Sequence, residues 1–218
     1  MNDSLMHELA PFDDTFRARL QELLAFRRDV RRFRTDPLPE GTLERLFQIA
    51  SLAPSVGLSQ PWRFIIVDDP ARRAAVRDVF AACNAEAAAA YAGERAERYA
   101  ALKLEGLKEA PCQFAVFTDH ATLAGHGLGR RTMPETADYS AVAAISMMWL
   151  AARAEGIGMG WISILDPARM NPIFDVPPSW RFIGYFCVGY PSEDSDRPEL
   201  ERAGWERRRD LEGCVLRR

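Results

Sequence analysis

Apolar residues recur at helical spacing in two segments near the N-terminus, and this spacing predicts two amphipathic helices. Asp13 or Asp14 can cap the first helix, and the second follows Pro39 with its cap near Thr42. The apolar positions are Phe16, Leu20, Leu23, Leu24 and Phe26 in the first helix and Leu43, Leu46, Phe47 and Ile49 in the second. Residues 53–61, rich in Pro, Gly and Ser, are predicted to form a loop.

Short apolar runs along the rest of the chain predict buried strands, and longer segments between them predict helices. The predicted strands are residues 64–67, 114–117, 161–164 and 182–188. The predicted helices are residues 71 to about 109, broken near Gly93 with a second piece at 94–110, and residues 137–154. The last helix is apolar on nearly all sides, so we expect it to be buried. Short strands, long helices and a central buried helix predict an α+β fold.

The chain shows no internal repeat and no low-complexity linker, so we predict one domain over residues 1–218. The tail after Pro191 is too polar to fold alone, and we expect it to wrap another surface, such as a partner subunit. The longest apolar stretch, residues 141–152, is shorter than the roughly 20 residues that a bilayer requires. The acidic N-terminus lacks the apolar core of a signal peptide. We therefore expect a cytoplasmic protein with no membrane segment.

The net charge argues against nucleic acid as a partner, but the many arginines leave phosphate binding open. With 28 Lys+Arg against 31 Asp+Glu, the formal net charge is −3, which offers no reason to expect nucleic-acid binding. Lys103 and Lys108 are the two lysines, and the other basic residues are arginines. Either a GC-rich genome explains this preference, or some arginines bind phosphate through their paired N–H groups.

Several common site motifs are absent from the sequence. The four cysteines form no CxxC pair, and His7, His120 and His126 form no metal-binding pattern with Asp119, so we expect free thiols and no metal site. The glycine-rich run at residues 156–160 follows a helix and precedes a strand, which is the reverse of the order in a dinucleotide-binding fingerprint. We interpret this run as a helix C-cap followed by close backbone packing.

Residues 27–34 are the strongest local signal, with five arginines around one carboxylate and a local charge of +4. If the first helix ends here, Arg27 and Arg31 lie on one helix face and can grip a phosphate together. The alternative is a solvated basic helix end that the helix dipole favours. Asp29 should stay ionised among so many guanidiniums, as either a structural clamp or a catalytic group.

A second signal is the polar loop at residues 55–62. The hydroxyls of Ser55 and Ser59, the amide of Gln60 and the backbone N–H groups would suit a ring rich in heteroatoms, and Gly57 would permit close approach. The alternative is an ordinary surface turn.

Together, the segments RRDVRRF, APSVGLSQPW and GMGWISIL resemble the nitroreductase-like flavoprotein superfamily, over about residues 16–211. Three features resemble one branch, the 5,6-dimethylbenzimidazole synthase family of cobalamin biosynthesis. Asp29 stands where ordinary nitroreductases usually have Ser or Thr, and residues 57–59 lack the Asn that usually precedes Gln-Pro-Trp. Residues 91–107 look like the family's lid, within an insertion at about 80–110.

This resemblance implies an α+β sandwich that forms a homodimer, with flavin in clefts at the dimer interface, the helix at 137–154 buried there and an arm at about 191–218. In this family, reduced FMN reacts with O₂ and is fragmented to 5,6-dimethylbenzimidazole, the lower ligand of cobalamin, with release of erythrose 4-phosphate. NAD(P)H acts indirectly, through a separate flavin reductase. The alternatives are an FMN-dependent NAD(P)H nitroreductase or quinone reductase, and a flavin-binding protein without chemistry.

The resemblance also assigns roles to residues of this chain. Asp29 and Ser163 are the implied catalytic pair, with Asp29 as proton acceptor or relay and Ser163 orienting the oxygen adduct from a strand. The lid excludes water. The implied FMN-binding residues are Arg27, Arg28 and Arg31 at the phosphate, Ser55, Ser59 and Gln60 along the ring across the interface, Gly160 and Trp161 at its reactive edge, and Arg208 as a further phosphate contact.

Overall fold

A computed structural model describes residues 12–218 of the chain. The helices in this range are α1 (Asp14–Phe26), α2 (Thr42–Ala50), α3 (Pro70–Ala89), α4 (Glu94–Ala101), α5 (Thr136–Ala154), α6 (Pro167–Phe174) and α7 (Glu199–Arg202). The strands are β1 (Trp62–Ile66), β2 (Cys112–Asp119), β3 (Gly158–Ile162) and β4 (Trp180–Gly189). Short 3₁₀ turns lie at Val56–Leu58 and Ala124–Gly127. The Asp13 side chain caps α1, as predicted.

Within the described residues, the strands form one antiparallel sheet in the order β1-β2-β4-β3. The central strands β2 and β4 are buried on both faces, so their residues are apolar almost without interruption. One face packs against α2 and α5, around Leu46, Ile145 and Met148. The other packs against α3 and α6, around Val76 and Met170. This arrangement confirms the predicted α+β sandwich, although each observed strand is shifted or longer than its predicted core.

Helix α5 crosses one face of the sheet and buries a stripe of small and apolar residues there. The buried residues of α5 are Ala137, Ser140, Ala141, Ala144, Ile145, Met148, Trp149 and Ala152. Its opposite face exposes Tyr139, Val142 and Ser146, which recur at helical spacing. In the single chain α5 is therefore buried on one face, and the burial of its other face at a dimer interface stays a prediction.

One expectation about the later part of the chain is wrong. The second helical piece ends at Ala101, and residues 102–110 are not helical. Gly106 instead packs against the ring of buried Phe33, and Gln113 donates a hydrogen bond to the Leu107 carbonyl at 2.9 Å, so tertiary contacts outweigh helix propensity. Part of the tail packs on its own chain, since Phe33 forms a β-bridge with Pro191 and the Trp205 ring contacts Tyr91 of the lid. The predicted contact of the tail with a partner subunit stays a prediction.

Within residues 12–218, no helix combines the length and the hydropathy that crossing a bilayer requires. No cluster of candidate metal ligands occurs in the same range. His7 and the acidic N-terminal residues before position 12 lie outside the described part of the chain. The four cysteines are free thiols.

Candidate active site

The arginine-rich segment is extended, because α1 ends at Phe26 before the segment begins. The Val30 N–H donates a hydrogen bond to the Met159 carbonyl at 3.0 Å, so the segment continues the sheet beyond β3. Arg27 and Arg31 therefore do not share a helix face, and that prediction is wrong. They still share a side with Asp29, because alternate residues of an extended chain point the same way.

Gly160 permits this pairing. A Cβ atom at Gly160 would overlap the backbone carbonyl oxygen of Val30, and one at Gly158 would lie 2.9 Å from a Val30 methyl group. The glycine-rich run therefore provides close backbone packing, as the sequence predicted. This packing places the Asp29 carboxylate beside the backbone N–H of Trp161.

The Asp29 carboxylate is bound through both of its oxygens. Its Oδ1 accepts a hydrogen bond from the Trp161 N–H at 2.9 Å, and its Oδ2 pairs with the Arg31 guanidinium. Burial raises the pKa of Asp29 above its ordinary value, and the nearby Arg31 charge and the Trp161 N–H oppose that rise. The half-buried carboxyl group therefore combines a fixed orientation with a raised pKa, two properties that a general base needs.

Arg31 connects this carboxylate to the lid insertion. One terminal nitrogen pairs with Asp29, and the other donates to the backbone carbonyl of Leu104. Both ends of its guanidinium fork are therefore engaged by the protein. The geometry shows Arg31 as an orienting partner of Asp29, and its predicted phosphate contact stays a prediction.

A cavity of about 240 Å³ opens beside Asp29. Its walls come from the arginine-rich segment, the lid insertion and the tail. The lining residues are Arg27, Arg28, Asp29, Arg31, Leu102, Lys103, Leu104, Pro198, Glu199, Leu200 and Arg208. The structure thus brings Arg208 to the same cavity as Arg27, Arg28 and Arg31.

The guanidiniums around this cavity are close enough to influence one another. Burial lowers the pKa of Arg28, and the charges of Arg208 and Arg27 lower it further. Among the described residues, the buried Nε of Arg28 has no hydrogen-bond partner. The Arg27 guanidinium lies 4.9 Å from the centre of the Trp149 ring, which holds it in place. Mutually repelling cations around an unpaired donor suit a bound anion such as a phosphate.

The polar loop lies away from this cavity within one chain. The Val56 N–H donates to the Ser140 hydroxyl near the start of α5 at 3.0 Å, whereas the Trp149 indole donates to the Arg28 carbonyl at 3.0 Å. Ser140 and Trp149 are nine positions apart, which is about 13 Å along a helix. The chain by itself therefore does not bring Ser55, Ser59 and Gln60 to the arginine-lined cavity.

The loop nevertheless has unused polar groups. Ser59 is buried, and its hydroxyl has no hydrogen-bond partner within residues 12–218. Gln60 is exposed and adopts a left-handed backbone conformation with φ of 42°. Gly57 packs against the backbone of Gly125, so its small size is already used inside the chain.

Trp161 and Ser163 lie in different environments. The Trp161 ring packs 5.0 Å from the Phe186 ring, and its buried indole N–H has no partner in the described chain. Ser163 lies just beyond the end of β3 and is exposed, so the expectation that it sits on a strand is wrong by one residue. Ser163 does not line the cavity that contains Asp29.

The sequence placed residues 102–104 in the lid without naming them as site residues, and it did not identify the tail residues Pro198, Glu199 and Leu200. Leu102, Lys103 and Leu104 lie in a non-helical segment directly after α4, whereas the sequence had predicted that they continue the helix. One signal was present: Lys103 is one of two lysines in an arginine-dominated chain. Its ammonium group lies 3.1 Å from Glu109, which fixes it at the edge of the cavity.

The model of the nitroreductase family matches residues 24–190, so this chain belongs to the nitroreductase family. It is 57% identical over 198 residues to a 5,6-dimethylbenzimidazole synthase from Rhodospirillum rubrum, covering 91% of this chain and 94% of the relative. A second 5,6-dimethylbenzimidazole synthase, from Rhodobacter capsulatus, is 50% identical over 195 residues, covering 89% and 94%. These relatives confirm the resemblance and the enzyme class predicted from the sequence.

Solved structures agree with the fold. The structure of oxidized iodotyrosine deiodinase bound to FMN and 3-iodo-L-tyrosine superposes with a TM-score of 0.67 at 25% identity, covering 81% of this chain and 91% of that one. This similarity confirms the nitroreductase-like architecture.

Proposed function

We propose that this enzyme fragments reduced FMN with O₂ to 5,6-dimethylbenzimidazole, the lower ligand of cobalamin, and releases erythrose 4-phosphate. The observation that carries the proposal is Asp29, a carboxylate with a raised pKa in a cavity of arginines beneath a lid. By the resemblance, ordinary nitroreductases usually have Ser or Thr at this position. The similarity to two dimethylbenzimidazole synthases supports the same reaction.

The donor set fits FMN. Arg27, Arg28 and Arg208 line one cavity in which Arg28 Nε has no protein partner, and this arrangement would hold the phosphate. When bound, reduced FMN supplies the ring that is cleaved and that reacts with O₂. Gly160 and Trp161 would lie beside its reactive edge. Arg31 orients Asp29. It would contact the phosphate only after its hydrogen bond to the Leu104 carbonyl is broken.

Asp29 would act on a proton of the ribityl chain. Its Oδ1 is fixed by the Trp161 N–H and its Oδ2 by Arg31, so the carboxylate can accept a proton without changing its orientation. Ser163 would orient the oxygen-bearing part of the ring. Residues 102–104 line the cavity and would exclude water from it, so that ring cleavage could proceed before peroxide is released.

The polar loop supports a homodimer. Ser55, Ser59 and Gln60 lie at the opposite end of α5 from the arginine cavity, so they would contact the flavin bound mainly by a second copy of the chain. The exposed stripe of Tyr139 and Val142 on α5 offers an apolar surface for that copy. Free thiols fit a reducing cytoplasm, where a separate NAD(P)H-dependent reductase would supply reduced FMN.

One experiment separates this proposal from the alternatives. FMN is reduced with NADH by a separate flavin reductase, the protein and air are added, and products are identified by mass spectrometry. We expect 5,6-dimethylbenzimidazole. Oxidation of NADH by the protein with FMN but without the reductase would instead identify a nitroreductase or quinone reductase. Intact FMN after repeated reduction and aeration would identify a flavin-binding protein without chemistry, and the reductase without the protein is the control.

A further inference from the structure

We propose that Trp205 is a positioning residue that fastens residues 198–208, here called the strap, to the lid insertion, so that strap and lid close the arginine-lined cavity together. FMN would then enter or leave only when this contact opens. The inference rests on the proposed function for its consequences in catalysis, but the contact itself is a property of the chain.

The centre of the contact is an aromatic cluster. The Trp205 ring meets the Tyr91 ring edge-on, with centroids 5.4 Å apart and an interplanar angle of 87°. Tyr99 lies 6.0 Å from Trp205 and 4.9 Å from Tyr91, so the indole closes a group of three rings. Both tyrosines belong to the lid insertion. Edge-to-face pairs of this kind are favourable beyond the area that they bury.

Polar contacts surround this cluster. The Arg95 guanidinium lies 5.2 Å from the Trp205 ring centre, and Arg98 donates to the Gly204 carbonyl at 3.2 Å. The Tyr99 hydroxyl donates to Asn84 at 2.7 Å, which anchors the lid side of the cluster to α3. The strap is therefore held by groups of the lid insertion and, through Glu199, by Arg32 of the arginine-rich segment at 3.4 Å.

The position of Trp205 in the strap couples this contact to the cavity. Pro198, Glu199 and Leu200 line the cavity before it in sequence, and Arg208 lines the cavity after it. The Trp205 N–H also donates to the Leu200 carbonyl at 2.9 Å. Displacement of Trp205 would therefore move both cavity-lining parts of the strap, including the charge of Arg208.

The lid side of the cavity leads to the same contact. Leu102, Lys103 and Leu104 line the cavity directly after α4, which carries Arg95, Arg98 and Tyr99. Separation of α4 from Trp205 would therefore open the cavity between lid and strap. This geometry assigns Trp205 a role in retaining FMN, although its side chain does not line the cavity.

The test measures FMN dissociation by stopped-flow fluorescence on the full-length protein. We expect Trp205→Ala to release FMN about tenfold faster, since two aromatic contacts and one cation–π contact are lost. Trp205→Phe keeps an aromatic ring and should restore most of the retention. Leu211→Ala, in the exposed end of the same tail, is the matched control and should match the wild type.

An unchanged dissociation rate in folded Trp205→Ala, with folding checked by circular dichroism, would overturn the proposal. If that variant does not fold, the double variant Arg95→Ala/Arg98→Ala tests the proposal instead. Both side chains are exposed, so their removal should leave the fold intact. We expect it to release FMN about threefold faster, as loss of a surface cation–π contact and a hydrogen bond implies. A rate equal to the wild type would overturn the proposal.

A second measurement links the strap to catalysis. During turnover with reduced FMN and air, Trp205→Ala should release more hydrogen peroxide and less dimethylbenzimidazole per FMN than the wild type. Failure of the wild type to form dimethylbenzimidazole would contradict the proposed function, but the dissociation rates would still decide the role of Trp205.

Discussion

The backbone N–H of Trp161 donates a hydrogen bond to the Asp29 carboxylate at 2.9 Å, which joins the arginine-rich segment to the edge strand of the sheet. Because Gly160 precedes Trp161 and has no Cβ, the two backbones can approach closely enough for this bond to form. One oxygen of the candidate proton acceptor is therefore fixed by a backbone N–H of β3, which is part of the sheet.

Asp29→Asn should abolish most product formation while FMN binding is retained. The amide keeps an oxygen that can accept from Trp161 but cannot accept a proton as a carboxylate does, and loss of a general base lowers rates by about 100-fold or more. Dimethylbenzimidazole is measured by mass spectrometry and FMN affinity by fluorescence titration. Asp36→Asn, an exposed carboxylate paired with Arg34, is the control. Undiminished product formation would refute the catalytic role.

The raised pKa of Asp29 predicts a particular dependence of stability on pH. Between the ordinary pKa of Asp, about 3.9, and the raised folded value, the folded protein binds a proton that the unfolded chain has lost. The free energy of unfolding of the wild type, relative to Asp29→Asn, should therefore fall as pH rises through this window and stay constant above it. Urea unfolding at several pH values measures the difference. A difference that rises with pH would show that the pKa is lowered instead.

Arg27→Ala should weaken FMN binding by about 1.5–3 kcal/mol, the range for hydrogen bonds to charged groups. Arg27 lines the cavity and is held by Trp149, so its guanidinium is already placed for a phosphate. Fluorescence titration measures the affinity. Arg34→Ala removes an exposed arginine outside the cavity and should leave the affinity unchanged. Equal affinities of Arg27→Ala and the wild type would remove Arg27 from the phosphate site.

Gly160→Ala should destabilise the protein by about 1–3 kcal/mol, as expected for forced overpacking, and weaken FMN binding as well. The new methyl group would overlap the Val30 carbonyl, and backbone cannot move aside as easily as a side chain. Gly158→Ala meets only the Val30 side chain, at 2.9 Å, and should cost less. Thermal unfolding compares the two variants. If Gly158→Ala were the less stable variant, the close contact between Gly160 and the Val30 carbonyl would not be what holds the arginine-rich segment against β3.

Val142→Asp should disrupt the proposed dimer and, with it, FMN binding. Val142 and Tyr139 lie on the exposed face of α5, where a charge would oppose burial against a second copy. Light scattering after size-exclusion chromatography gives the oligomeric state. Ala82→Asp, at an exposed position of α3 on the other face of the sheet, serves as the control. A dimer that persists in Val142→Asp would place the interface elsewhere.

The local patterns predicted the main elements well where one physical signal dominated. Helical spacing and an Asp cap located α1, and the apolar runs located β2 and β4, because residues buried on both faces must be apolar. The patterns failed where contacts distant in sequence decide the conformation. Residues 102–110 have a helical composition, but Gly106 and Leu107 are held against the core in another conformation.

The sequence by itself determined the fold class, the family and the cluster of arginines around Asp29, because these depend on local spacing and on motifs. Only the tertiary structure decided how that cluster is arranged. It extended the segment along β3, paired Asp29 with the Trp161 N–H and Arg31, and brought Arg208 to the same cavity. These contacts join residues up to about 180 positions apart, and no pattern within a short stretch of sequence records the backbone pairing and burial that create them.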